Sequence, residues 1–221
     1  MATCDTCNGA KTIVVTRDGG TERILCPACN GTGKRQEELM ETVNVHDVRV
    51  LLPDDEEDVH TTWPHADTLA KAALSHAEYR GVDLAGHRWN DVKMSRVVFT
   101  DCRLTGAVLN QVTMSDVLFR DCVFDYAHMA RVRAASGVAF TGCRFTEAVF
   151  DSCDLSGVAM DGCRLAGVQF DGTRMDGCDL RGSTTEDVGG VLSLRGIKVD
   201  ADQVPNLMAS VVADLGWKVD A

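Results

Sequence analysis

Cys102-Arg103-Leu104-Thr105-Gly106, Ala107-Val108-Leu109-Asn110-Gln111, Val112-Thr113-Met114-Ser115-Asp116 and Val117-Leu118-Phe119-Arg120-Asp121 are four successive blocks of five. A small or β-branched residue opens each block and a large apolar residue stands at its centre. The pattern runs outward from there for half the chain. Leu74, Tyr79, Leu84, Trp89, Met94 and Phe99 precede it at the same step, and Phe124, Met129 and Ala134 follow. After one inserted residue the series resumes with Phe140, Phe145, Phe150, Leu155, Met160, Leu165, Phe170, Met175 and Leu180. Residues 72–182 thus hold 22 fives and one extra residue, and all seven phenylalanines lie on this register. A period of five suits neither a helix (about 3.6) nor a flat strand (about 2). Something must turn the chain every five residues, and self-similarity at short fixed period marks a solenoid. Two inward positions in five leave three facing water.

The sequence also gives the number of fives in one coil. Cys102, Cys122, Cys143 and Cys163 follow one another at 20, 21 and 20 residues, and Val92, Val112 and Val132 at 20 and 20. Like therefore stacks on like every four blocks, which asks for four sides. The single 21 places the extra residue within Val132-Arg133-Ala134-Ala135-Ser136-Gly137, read as a bulge.

Blocks such as Cys153-Asp154-Leu155-Ser156-Gly157 and Val82-Asp83-Leu84-Ala85-Gly86 resemble the motif of the pentapeptide-repeat family. The resemblance implies an all-β fold: a right-handed quadrilateral β-helix with one pentapeptide per side. At ~4.8 Å between stacked strands, five and a half coils make a rod of about 26 Å. Cys102, Cys122, Cys143, Cys153, Cys163 and Cys178 all occupy the small slot. They read as reduced interior filler in preference to disulfides or a metal ladder, because parallel Cβ vectors ~4.8 Å apart exceed the usual ~3.5–4.5 Å of a disulfide.

The other four cysteines, Cys4, Cys7, Cys26 and Cys29, form Cys-x2-Cys-x18-Cys-x2-Cys. That spacing lets two knuckles meet on one tetrahedral ion, so one structural Zn2+ is expected, ahead of a redox dithiol pair or unrelated thiols. Between the knuckles, Thr12 to Thr16, the turn Asp18-Gly19-Gly20, and Thr21 to Leu25 read as a β-hairpin. Cys4-Asp5-Thr6-Cys7-Asn8-Gly9 and Cys26-Pro27-Ala28-Cys29-Asn30-Gly31-Thr32-Gly33 resemble the Cys-x-x-Cys-x-Gly-x-Gly repeats of the DnaJ-type (J-domain) co-chaperone zinc domain. That family uses four repeats; this chain has two, and Lys11 replaces the last glycine of the first.

Four regions follow: a Cys4 zinc ribbon at 1–33, an acidic linker at 34–71, the solenoid at 72–182 and a C-terminal cap at 183–221. The linker carries Asp54-Asp55-Glu56-Glu57-Asp58 and reads as solvated. In the cap, Val204, Leu207, Met208, Val211, Val212 and Leu215 share one helical face, with Asp202 as N-cap and Gly216 as stop. A helix laid over the open end of the solenoid is expected, and the family resemblance adds a homodimer contact through it.

The chain has 221 residues with 22 basic and 33 acidic side chains, a net charge of -11. No apolar run approaches the ~18 residues of a membrane span, and the first residues lack a basic or apolar leader, so a cytoplasmic protein is expected. The family includes proteins whose acidic rods resemble duplex DNA and occupy gyrase, which makes a type II topoisomerase a candidate partner. Charge argues against mimicry: residues 72–182 hold 12 bases and 14 acids, whereas duplex DNA carries one negative charge per ~1.7 Å. Arg103, Arg144 and Arg164 stack on one face, either as a shallow anion-binding stripe or as arginines paired with Asp125 and Glu147. Nucleic-acid binding is not expected of so acidic a chain and would rest on the ribbon, with Lys11, Arg17, Arg23, Lys34 and Arg35. No nucleophile elbow, phosphate loop or zincin helix occurs, and His46, His60, His65, His76, His87 and His128 form no ligand cluster in sequence. The expectation is a noncatalytic interaction or scaffold protein, not an enzyme, with an unidentified protein partner.

Overall fold

In the repeat, the residue two places after the central apolar side chain has a left-handed backbone, except after Ala134, where the inserted residue moves the corner to Gly137. Gly86, Asp91, Arg96, Asp101 and Gly106 succeed one another with φ of 68°, 55°, 54°, 54° and 65°. One left-handed corner in each block supplies the turn that the five-residue period demands. Glycine adopts the corner without a Cβ penalty, and aspartate tolerates it better than most residues.

The computed structural model describes residues 10, 12–17, 20–26, 41–53 and 59–218. The chain divides into two units, Met1–Glu41 and Thr42–Ala221. In the first, β1 (Thr12–Arg17) and β2 (Gly20–Leu25) form the expected antiparallel hairpin, with Thr12 opposite Leu25. Cys26 follows β2 and is buried. Cys4, Cys7 and Cys29 lie outside the described residues.

The second unit is a parallel β-solenoid of about six turns with one short C-terminal helix. Residues pair with those one coil later: Trp89 with Leu109, Leu109 with Met129, Tyr79 with Phe99, and Phe99 with Phe119. Stacked rings of Phe99, Phe119 and Phe140 sit 4.9 Å apart at 8° and 6°, the spacing of neighbouring strands. The central residues are buried along the whole series except Ala134, which is half-buried. There the register slips: Met114 pairs with Ala134 but Ser115 with Ser136, leaving Ala135 as the inserted residue.

Three features depart from the sequence reading. The coil starts before Ala72 and outlasts residue 182: Leu69 pairs with Trp89, Thr185 with Leu165, and Asp179 with Lys198. Thr185 fills a central slot without being apolar, which hid this coil from a search for large side chains.

The segment read as a solvated linker contains a second hairpin, β3 (Thr42–Val45) and β4 (Val48–Leu51). Its Val45 and Val50 are buried against Val98, Leu118, Ala139 and Ala159. These four occupy an outward slot on consecutive coils, so on this face the expectation of three water-facing positions in five fails.

At the far end, a 3-10 turn at Ala201–Gln203 leads into α1 (Val204–Asp214). Asp202 caps neither element: Asp200 caps the 3-10 turn and Gln203 stands at the N-cap of α1, so that Pro205 falls in the first turn of the helix, where no donor is needed.

Candidate interaction surfaces

The solenoid interior is filled by side chains, and its thiols are engaged. Cys102, Cys122 and Cys143 point their S–H groups at the carbonyls of Tyr79, Phe99 and Phe119, at 3.3, 3.4 and 3.5 Å. Cys153 reaches Met129 O at 3.2 Å. Hydroxyls take over the slot toward the C-terminus: Thr173 donates to Phe150 O at 2.9 Å and Ser183 to Met160 O at 2.8 Å. At these positions the slot takes a small side chain that also satisfies a carbonyl one coil away, while elsewhere it holds valine or alanine. Burial pushes the Cys153 thiol up to about 11 and that of Cys178 up to about 12, so these sulfurs are neutral packing groups at physiological pH.

Outside, the arginine row is neutralised along its length. Arg103 pairs with Asp83 at 2.5 Å, Arg144 with Asp125 at 2.6 Å and Arg164 with Glu186 at 3.5 Å. Asp125 matches the sequence expectation; the partner of Arg164 is Glu186, not Glu147. Asp125 also accepts from Thr146 N at 3.0 Å. Burial raises its carboxyl, but the Arg144 guanidinium and the Thr146 contacts outweigh burial and hold it below the usual carboxylate range. The result is a flat polar face whose charged side chains are held in place.

The hairpin turn carries a denser ionic cluster. Asp47 accepts from Lys198 at 3.0 Å and lies 3.6 Å from Arg181. His46 Nε2 sits 3.5 Å from Asp161 and 3.2 Å from Arg181 O. Arg181 is itself bonded to the buried Asp179 at 2.6 Å, and that bond lowers the Asp179 carboxyl. The sequence did offer a signal for this surface: Val43, Val45, Val48 and Val50 alternate around a two-residue turn.

At the N-terminal mouth the fold gathers three histidines that are dispersed in sequence. Trp63 stacks on Trp89 at 5.5 Å and meets His65 and His87 edge-on at 5.0 and 5.9 Å. His60 stacks on Tyr79 at 5.3 Å. Among the described residues no group of three or more His, Cys, Asp or Glu side chains could hold a metal ion; three of the four expected zinc ligands lie outside them.

At the other mouth, Gln203 is buried and donates to Leu180 O and Ser183 O at 2.7 and 2.6 Å. Asp214 accepts from Gly190 N and Val191 N at 2.7 and 2.8 Å. These polar ties seat α1, while much of its apolar face stays open. Val204, Met208, Leu215 and Trp217 are exposed, as is Leu192 beside them. The helical face expected as a cap is thus only partly seated, through Leu207, Val211 and Val212.

Models described as pentapeptide repeats of nine and eight copies match residues 140–184 and 80–116. These segments are pentapeptide repeats. The pentapeptide repeats account for the four-block coil and for the small, central and corner slots. Among solved structures, the chain is similar to a trypsin-treated variant of QnrB1, a plasmid-mediated fluoroquinolone resistance protein. The identity is 15%, the TM-score 0.28, and the match covers 69% of this chain and 97% of that one. HetL, a pentapeptide repeat protein involved in heterocyst differentiation regulation from Nostoc sp. strain PCC 7120, matches at 14% identity and a TM-score of 0.24, over 59% and 75%. A pentapeptide repeat protein of the Arabidopsis thaliana thylakoid lumen matches at 14% and 0.22, over 67% and 96%. No curated protein matches the sequence. Among the described residues no helix is long and apolar enough to cross a membrane.

Proposed function

We propose that this chain is a noncatalytic interaction protein in which the pentapeptide-repeat rod presents preorganised polar faces and the N-terminal ribbon acts as a zinc-dependent adaptor. One observation supports the rod's role above others: Arg103, Arg144 and Arg164 are each tied to an acid on a neighbouring coil. A partner meeting that face finds side chains already ordered, which lowers the entropic cost of association. For the ribbon, the support is the position of Cys26, buried at the end of a hairpin that spans the gap between the knuckles. Cys4, Cys7, Cys26 and Cys29 would hold the ion, and four thiolates leave no open position for catalysis. Exposed Val204, Met208, Leu215 and Trp217 support a second element of the reading, self-association through α1. Sedimentation of the Met208→Asp chain beside wild type tests it: dissociation is expected, and two identical profiles would end that element.

The adaptor reading is tested with full-length protein and its Cys26→Ser variant. Wild type is expected to carry one equivalent of zinc and to capture a set of proteins, part of which the variant loses together with the metal. Retention of zinc by Cys26→Ser, or identical capture by both, would overturn it.

A further inference from the structure

In a solenoid each coil contacts only the coils on either side, so opening at an end costs one interface at a time and fraying proceeds coil by coil. The β3–β4 hairpin breaks that rule. Its valines cover Val98, Leu118, Ala139 and Ala159 on four consecutive coils. Leu51 N donates to Asp116 at 3.2 Å at one end, and at the other Asp47 reaches Arg181 and Lys198, residues of the next two coils. Six coils at ~4.8 Å span about 24 Å, and the five steps from Leu52 to Asp47 cover about 17 Å when extended; the long side chains of Arg181 and Lys198 make up the remainder.

The rod is shaped for this element. Beneath the hairpin the outward slot shrinks to Ala139 and Ala159. At Gly137 an added Cβ would lie 2.9 Å from Arg49 O, so the bulge leaves room for the hairpin backbone. A lone two-stranded hairpin is marginal in water. It therefore forms only when several coils are in register beneath it, and by reciprocity it favours those coils being in register together.

We infer that the hairpin is an axial splint, which couples coils that are not neighbours and makes the C-terminal coils open together with the middle of the rod. Hydrogen exchange on the full chain reads this directly. Leu180 N, bonded to Lys198 O at 2.9 Å, and Lys198 N, bonded to Cys178 O at 2.8 Å, report the last coils; Leu104 N, bonded to Val123 O at 2.7 Å, reports the coils beneath the hairpin. In wild type the two sets should exchange alike. In Val50→Asp the hairpin amides should exchange freely, with Leu180 and Lys198 about tenfold faster or more and Leu104 little changed. Asp47→Ala keeps the valines, the α1 cap and the His46 contact with Arg181 O but cuts the side-chain ties to Arg181 and Lys198. It should accelerate the last coils about threefold, and it decides the matter if Val50→Asp does not fold. Wild-type rates at Leu180 and Lys198 in a chain whose hairpin has been released, or in Asp47→Ala, would overturn the splint.

Discussion

Val98, Leu118, Ala139 and Ala159 occupy the same slot of the repeat as Arg103, Val123, Arg144 and Arg164 on the next face. The first row is buried and aliphatic beneath a hairpin; the second is open and carries arginines paired to acids on other coils. Both rows pair in parallel from coil to coil, the first within strands and the second through isolated bridges at Arg103 and Val123 and strands at Arg144 and Arg164. What differs is the occupant outside the rod: a segment of the same chain in one case and solvent in the other. The five-residue register decides which side chains point inward, but not what covers those that point outward.

The comparison breaks most completely if the interior beneath both rows is lost. Phe119 is fully buried and stacks between Phe99 and Phe140. Phe119→Asp removes about 2–3 kcal/mol of burial and adds an interior charge without a partner. Loss of the folded far-ultraviolet signal, or aggregation on expression, is expected. A soluble, folded variant would mean that the register is misassigned.

A smaller change separates the register from the surface. Leu118 and Arg120 flank Phe119 and point away from the interior, so the five-residue pattern alone treats them alike. Leu118 is fully buried under the hairpin, and Leu118→Ala should cost about 2–3 kcal/mol in denaturant unfolding. Arg120→Asp should stay within about 0.5 kcal/mol. Equal effects would mean that the hairpin adds nothing to the aliphatic row.

This pair also marks how far the sequence could be read. The coil length, the bulge after Ala134 and the burial of six cysteines were legible because each interior slot repeats the same constraint, size and apolarity, many times over. The last coil was not, because Thr185 and Ser183 satisfy the same slots with hydroxyl groups. The hairpin was obscured by averaging: Val43, Val45, Val48 and Val50 lie in a stretch whose overall charge resembles a linker. Its docking row was equally visible as four aliphatic residues in one outward slot, but their meaning depends on a segment distant in sequence. For α1 the apolar face could be read and its depth could not, since seating depends on Gln203 and Asp214 meeting carbonyls and amides of the last coils.

The smallest expected effect lies within the open row. Asp83 and Arg103 are both more than half exposed, whereas the Asp125 side chain is 13% exposed beneath Arg144. Water screens the first pair, and holding two mobile side chains together offsets most of its Coulomb energy; Arg103→Ala should leave stability unchanged within error. Arg144→Ala strands a mostly buried carboxylate and should cost about 1 kcal/mol at pH 7. Because Asp125 titrates below its ordinary 3.8 in the folded chain, the pair contributes above that pH. The contribution is lost as pH falls through the lowered folded value. The gap between wild type and Arg144→Ala should therefore narrow as pH is taken below 3.8, while Arg103→Ala shows no gap at pH 7 or in acid. If the two variants cannot be told apart at pH 7, burial of the acid does not set the strength of these pairs, and the open row is uniform along its length.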